Sequence, residues 1–551
     1  MKQNKFAVKL LSLLLAGVLL TGVGSPAAAS RTQATGEVEI FSPVASSASE
    51  YGYIQPRWAD KYGNIIEADT LKNDAPEKLS LLERLFPSTQ SVLPSAYDAR
   101  NFGRVTSVKY QSDANMCWAF TAMGVLESYD ISHGYAALGD ADYSETHLAW
   151  FTHKSLSTNA DDSTYGDGFN RDSPYLNGGN WCYTVGTLAR WSGINDETDF
   201  PFDEFNYATQ CVYTEAERYR NNGRLLRSME QYSSVEDVKQ AIYDNGAVEA
   251  AINYEDNIEA TAANGDYVYY SPTTGDTNHA VIIVGWDDSY PVANFPASLR
   301  PSSPGAWLIR NSWSEYWGNE GYMWVSDETG SLSEFTSYTA MSAADYDNNY
   351  QHDGFGISHS YFYSANNLKV SNVFRADSNE ILKAVCLYTI TQNTVCSIRI
   401  YKNLIENYTS PVQGTLAYTS PEMTFKNLGY YTVDLEQEIE LEPDEIFSVV
   451  VCYSGEASFV VEPSPSADTS PAFHANERES YYTIGLGGTW YDLVASGSGG
   501  NIHLKALSAD VIQPALSVTP NTTLNEFMPM LNSGFRNLLA RLFFYIFSYR
   551  A

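Results

Sequence analysis

The chain has 551 residues, 44% hydrophobic and 14% aromatic, which supplies two or three packed domains and excludes a mainly disordered state. Its 66 acidic residues against 33 basic ones give a formal charge of −33, a surface that repels phosphate and excludes nucleic acid as an expected partner. Six cysteines are too few for a disulfide scaffold.

At the N-terminus, Lys2, Lys5 and Lys9 flank the apolar run from Phe6 to Val23, and Ala27-Ala28-Ala29 follows. A basic start, a short apolar stretch and small residues at the end predict a secretory signal peptide over 1–29, hence a secreted or cell-surface protein. Residues 30–92 are weakly patterned except for Glu77–Phe86, whose apolar spacing predicts a helix stopped by Pro87. Residues 93–345 alternate helical and strand-like segments, an α+β pattern. Polar residues from Asp345 to Gly354 mark a boundary. Over 346–508, short β-prone runs such as Ile398–Tyr401, Tyr430–Val433 and Phe447–Val451 predict a β-sandwich domain. In the tail, 509–551, Leu538, Leu539, Leu542, Phe543, Ile546 and Tyr549 keep helical spacing, but the run is short for a bilayer span and Arg541 interrupts it.

The chemistry concentrates in three places. Cys117 opens a predicted amphipathic helix whose face carries Trp118, Ala122, Val125 and Tyr129. The unpaired N–H groups and dipole of a helix start favour a thiolate there. His279 begins a very apolar strand-like run, and Asn311 ends a second one, Trp307–Arg310. If the two pair, imidazole and carboxamide come side by side, a base and its orienting partner for a Cys nucleophile.

These blocks together resemble the papain-like cysteine peptidase family. The residues that carry the resemblance are Gln111 followed at the same spacing by Cys117-Trp118-Ala119-Phe120, then His279-Ala280-Val281, then Asn311-Ser312-Trp313 with Trp317-Gly318 and Gly321-Tyr322. The resemblance spans 93–345. It implies a two-lobed catalytic domain, one lobe helical and the other β-barrel-like, acting on a protein or peptide substrate with no cofactor and no metal. It also implies roles: Cys117 attacks the carbonyl, His279 moves the proton, Asn311 orients His279, and Gln111 donates to the oxyanion. Trp118 and Trp313 would support the site, Trp313 by shielding the His–Asn bond. Gly178 and Gly179 look like the family's backbone ledge for an extended substrate, and Trp181 and Ala280 would line an adjoining apolar pocket. Leu93–Arg100 resembles the start of a mature enzyme, making 30–92 propeptide-like.

Some features depart from the family. The intervals from Cys117 to His279 and Asn311 exceed the usual ~130–150 residues, consistent with polar insertions at 154–172 and 287–304. Ala114 and Leu176 stand where a familiar cysteine pair would be, leaving Cys182 and Cys211 as an alternative pair to test. Asn278 replaces an Asp, and Met116 is expected to narrow the cleft. Residues 346–508 resemble the lectin-like domain of some bacterial relatives, implying a possible glycan or cell-envelope ligand. Trp490 and Tyr491 are its candidates for stacking on a sugar, though core or turn positions suit them better. The expected function is a secreted cysteine endopeptidase working through a thioester. The alternatives are a non-catalytic cell-envelope adhesin on a peptidase scaffold and a Cys-dependent peptidoglycan amidase. Nothing in the sequence indicates an oligomeric state.

Overall fold

The computed structural model describes residues 39–43, 49, 51–60, 62–67, 93–154, 172–218, 223–354, 361–462, 475–485, 488–497 and 500–511. The signal segment, the Glu77–Phe86 helix and the apolar tail lie outside the described residues.

Three short strands come first: β1 (Glu39–Pro43), β2 (Arg57–Ala59) and β3 (Ile65–Glu67), with β2 antiparallel to both neighbours. The first lobe of the following domain is built on helix α1 (Cys117–Ser132), with α2 (Glu145–His153) and α3 (Trp181–Ala189) packed against it. Side chains cap both shorter helices: Ser144 accepts from the His147 N–H at 3.1 Å and Asn180 from the Tyr183 N–H at 3.2 Å. The expected amphipathic face on α1 is not what forms. The helix is buried from Cys117 to Asp130 on every side, because it lies between the helical lobe and the strands of the second lobe. Its charged residues are tolerated by pairing. Glu127 accepts from Lys109 at 2.9 Å and from the Tyr143 N–H at 3.0 Å, and Asp130 pairs with Arg224. Lys109 also reaches Glu145 and Asp142, each at 2.7 Å, tying α1 to α2.

The second lobe contributes β4 (Arg224–Tyr232), β5 (Val248–Ile252), β6 (His279–Asp287), β7 (Ala306–Arg310), β8 (Tyr322–Ser326) and β9 (Ser333–Ser342). Their spatial order is β4-β9-β5-β6-β7-β8, all neighbours antiparallel. β5 and β7 are buried on both faces, and β6 up to Asp287; all three are mainly apolar, with Glu249 a buried acid in β5. Arg310 lies opposite Ile282, so the start of β6 and the end of β7 converge at one edge of the lobe. His279 and Asn311 stand there.

The C-terminal domain includes β10 (Tyr361–Asn366), β11 (Leu428–Leu441) and β12 (Glu456–Glu462). The three β-prone runs picked out in the sequence are all strands, and strands of three sheets enclose a core containing Leu382, Leu387, Ile398, Val449 and Phe459. The polar run between the two domains carries a strand of its own. Asn348–Tyr350 is a strand paired with Leu504–Asp510, because its asparagines find fixed partners: Asn348 donates to Glu380 at 2.9 Å and Asn349 to the Ala189 carbonyl at 3.1 Å. β11 also pairs with β4, so a single thirteen-stranded sheet runs through both domains. The six cysteines are free, and the proposed Cys182–Cys211 pair does not form; both thiols are buried, with Cys211 donating to the Pro201 carbonyl at 3.3 Å.

Candidate active site

His279 Nε2 lies 2.8 Å from Asn311 Oδ1. The same oxygen accepts the Ser312 N–H at 2.8 Å, which fixes the amide's orientation. An oxygen can only accept, so Nε2 carries the imidazole proton and the lone pair is on Nδ1. Nδ1 has no hydrogen-bond partner among the described residues. Cys117 is the first residue of α1, and the Ala280 N–H reaches its sulfur, which sets the thiol beside the start of β6. Trp313 stacks on the imidazole at 4.7 Å and 22°, with Trp317 and Tyr254 edge-on against the indole at 5.3 and 5.0 Å. His279 and Asn311 are both buried behind these rings.

Gln111 is locked from both ends. Its Oε1 accepts the Ser312 hydroxyl at 2.6 Å, Nε2 donates to the Ala114 carbonyl at 2.7 Å, and its own N–H donates to the Ser312 carbonyl at 2.8 Å. The second Nε2 proton is left over. Met116 is fully buried in the closed cleft. Trp118 lies directly under Gly179: any Cβ there would run into the indole, so glycine is required by what is below the ledge.

The cleft is filled by the chain's own segment 49–58. Gly179 donates to the Gly52 carbonyl at 3.0 Å and accepts the Ile54 N–H at 2.9 Å, while Asn180 Nδ2 donates to the Ile54 carbonyl at 2.7 Å. The pairing is parallel. Gly52, at φ +94°, passes so close over the Asn115 backbone that no side chain fits between them. The Tyr51 ring covers His279 and Trp313 at 5.6 and 5.5 Å. Cys117 and His279 are consequently shut off from solvent. Burial pushes the thiol up to about 12 and the imidazole down to about 4, against the opposing hydrogen bonds from Ala280 and Asn311. Both groups are neutral in this state.

The pocket beside the ledge differs from the apolar one expected. Trp181 is there, but its Nε1 donates to Glu334 Oε2 at 3.0 Å, and Tyr53 enters the pocket and donates its hydroxyl to the same oxygen at 2.8 Å. Ala280 is buried and contributes its N–H to the sulfur. Glu249, its carboxyl raised to about 8 by burial, lies nearby and accepts from Thr121 at 2.9 Å and Tyr338 at 3.2 Å. The sequence reading missed Glu334. Its one local signal is an acid inside an otherwise β-prone run. In the C-terminal domain, Trp490 packs against a small core cluster and Tyr491 lies 5.5 Å from Tyr482, so neither is presented alone.

Residues 93–343 match the family described as papain family cysteine protease, and 349–508 match the lectin like domain. The chain joins a papain family cysteine protease domain to a lectin-like domain. Among curated relatives, a cysteine protease of Blomia tropicalis is 28% identical over 257 residues, covering 46% of this chain and 68% of the relative. Cathepsin S of Bos taurus is 25% identical over 247 residues, covering 45% and 64%. The chain thus spans about two thirds of the length of these relatives. Two solved structures share the two-domain fold. One, of the cysteine protease and lectin-like domains of Cwp84, a surface layer associated protein of Clostridium difficile, has TM-score 0.63 at 23% identity, covering 76% of this chain and 89% of that one. The other, Cwp84 after propeptide cleavage, has TM-score 0.64 at 23% identity, covering 76% and 100%.

Proposed function

We propose that the chain is an exported cysteine endopeptidase and that the described conformation is its latent form. The observation that carries this reading is the His279 imidazole: its proton is fixed on Nε2 by Asn311 and its lone pair lies on an unpartnered Nδ1, while the N–H of the next residue, Ala280, reaches the Cys117 sulfur. Once the cleft opens, Nδ1 takes the thiol proton and the thiolate attacks the scissile carbonyl. The Cys117 N–H and the spare Gln111 Nε2 proton receive the oxyanion. His279 then protonates the leaving amine, a thioester remains on Cys117, and water activated by His279 releases the acid.

The strap over 49–58 supports latency by its direction. In this mechanism the acyl half of a substrate lies on the Gly178–Gly179 ledge and the leaving amine beside His279. The strap passes Tyr51 at His279 first and reaches the ledge with Tyr53 and Ile54 afterwards, the reverse polarity. It fills the cleft without offering a peptide bond in the productive sense. Tyr53 also serves as a template for specificity. A side chain with an apolar shaft and a donor at its tip satisfies Glu334, so tyrosine, lysine or arginine two residues before the cut is preferred over leucine or valine. Export rests on the 1–29 pattern, supported by the surface-layer association of Cwp84; a glycan or cell-envelope ligand of the lectin-like domain belongs to the same reading.

The test is turnover of an unstructured protein by the full chain after limited proteolysis between β3 and Leu93. Cleavage that disappears in Cys117→Ala and after treatment with a thiol-directed epoxide is expected. Protein that is folded, free of the strap and inert under reducing conditions would favour the adhesin reading.

A further inference from the structure

Resting on the reading that the strap leaves an active cleft, we propose that the edge of β10 in the lectin-like domain is an exosite, taking the N-terminal flank of an extended polypeptide substrate as an added strand. β10 pairs with β12 on one side; its other edge is covered by β1, through Glu39↔Ser364, Ile40↔Tyr363 and Phe41↔Phe362. β1, β2 and β3 flank or overlap the strap within the N-terminal segment that precedes Leu93, leave with it, and make up half of a six-stranded sheet. Their departure strips β10 of its partner and leaves a row of unpaired main-chain donors and acceptors, which needs a cover.

Two features say what covers it. The first is continuity with the cleft. Ile54 lies on the ledge, and Trp58, in the strand that pairs with β1, follows only four residues later, at most ~14 Å of extended chain. The β10 edge therefore begins where the acyl end of the cleft stops, the end from which a substrate's N-terminal flank emerges. The second is an apolar seat. Trp58 is fully buried with its ring 4.8 Å from that of Phe362. Removing the strap uncovers Phe362 beside the open backbone edge, so main-chain pairing and one apolar anchor stand together, as in strand addition to a sheet edge. The N-terminal segment occupies both places at once, β1 at the edge and Gly52–Ile54 on the ledge, with Trp58 of β2 between them.

The experiment uses the full chain activated by proteolysis between β3 and Leu93 and freed of the strap. Two fluorogenic peptides are compared, identical from the fourth residue before the cut onward. One begins there, and the other carries about eight further β-prone residues, ~26 Å when extended. The longer peptide is expected to show kcat/KM about tenfold higher, the equivalent of ~1.4 kcal/mol, carried by KM. Phe362→Ala should erase that advantage and leave the short peptide unaffected, while Phe362→Leu should keep most of it. Should Phe362→Ala fail to fold, a synthetic peptide of residues 37–47 replaces it, expected to inhibit the long substrate and spare the short one. Equal turnover of both peptides, an advantage that survives Phe362→Ala or the 37–47 peptide, or a β10 edge occupied by a second copy of the chain in solution would overturn the exosite while leaving the peptidase reading intact. Turnover of neither peptide would instead overturn the peptidase reading, and the exosite with it.

Discussion

Acid should loosen the strap, and His279 sets how much. In the closed cleft, burial lowers the imidazole from its ordinary 6.5 to about 4. With the strap lifted, the ring reaches water and its ordinary value returns. Protons therefore bind the open state more tightly. The closed state's advantage is complete above 6.5 and is lost as pH falls through the window down to 4. Between about pH 7.5 and pH 5 the two titrations differ by about 2 kcal/mol, a rise of roughly 30-fold in the open population. Hydrogen exchange at the Ile54 and Gly179 amides, which bond across the strap and ledge, reads this directly once corrected for intrinsic rates. The Cys117→Ala chain prevents self-cutting during the measurement. His147 in α2 is also lowered to about 4 by burial, against Asn195 and the Glu217 carbonyl, so α2 responds to acid on its own account and the control is taken from amides of the Phe447–Val451 strand in the lectin-like domain. Protection at Ile54 and Gly179 should drop while that strand holds. Unchanged strap protection, or an equal drop when His279→Gln is added, would refute the coupling.

Three further outcomes follow from the site. Gln111→Ala should lower kcat by ~100-fold or more, the usual loss for one oxyanion donor, while alkylation of Cys117 in the strap-free chain stays near its normal rate. Glu334→Leu should reverse the subsite preference in a peptide library, favouring leucine over tyrosine, lysine and arginine at the second position before the cut, with the change appearing in KM. Gly179→Ala should destabilise the domain by ~1–3 kcal/mol, because the added methyl meets the Trp118 ring below; a lowered thermal midpoint in both the strapped and strap-free chain checks this.

The parts of the site that were readable in the sequence were those tied to local chain geometry. The start of α1, the apolar runs of β6 and β7, and the polar residues at their ends all have a short-range signature, so Cys117, His279 and Asn311 could be placed at the ends of their elements before any tertiary contact was known, while their expected roles came from the papain-like motifs around them. Glu334 had no such signature. It is on β9, a different strand from His279, and becomes a pocket floor only because Trp181 and Tyr53 converge on it. The burial of α1 was misread for a related reason: periodicity reports one apolar face, and Glu127 and Asp130 disguise a second buried face that Lys109, Tyr143 and Arg224 neutralise. The pairing of β11 with β4 was illegible too, since strand partners far apart in sequence leave no pattern in either strand alone. The strap gave one clue, Tyr51-Gly52-Tyr53, whose glycine permits the close passage over Asn115.

The central claim, that Cys117 forms a thioester in a cleft shared with His279 and Asn311, is tested most directly by rapid-quench mass spectrometry of the strap-free chain with an activated ester substrate. The acyl mass should accumulate on the peptide containing Cys117, decay with turnover, and vanish in Cys117→Ala. Turnover that continues in Cys117→Ala, or an acyl group carried on any other residue, would contradict it.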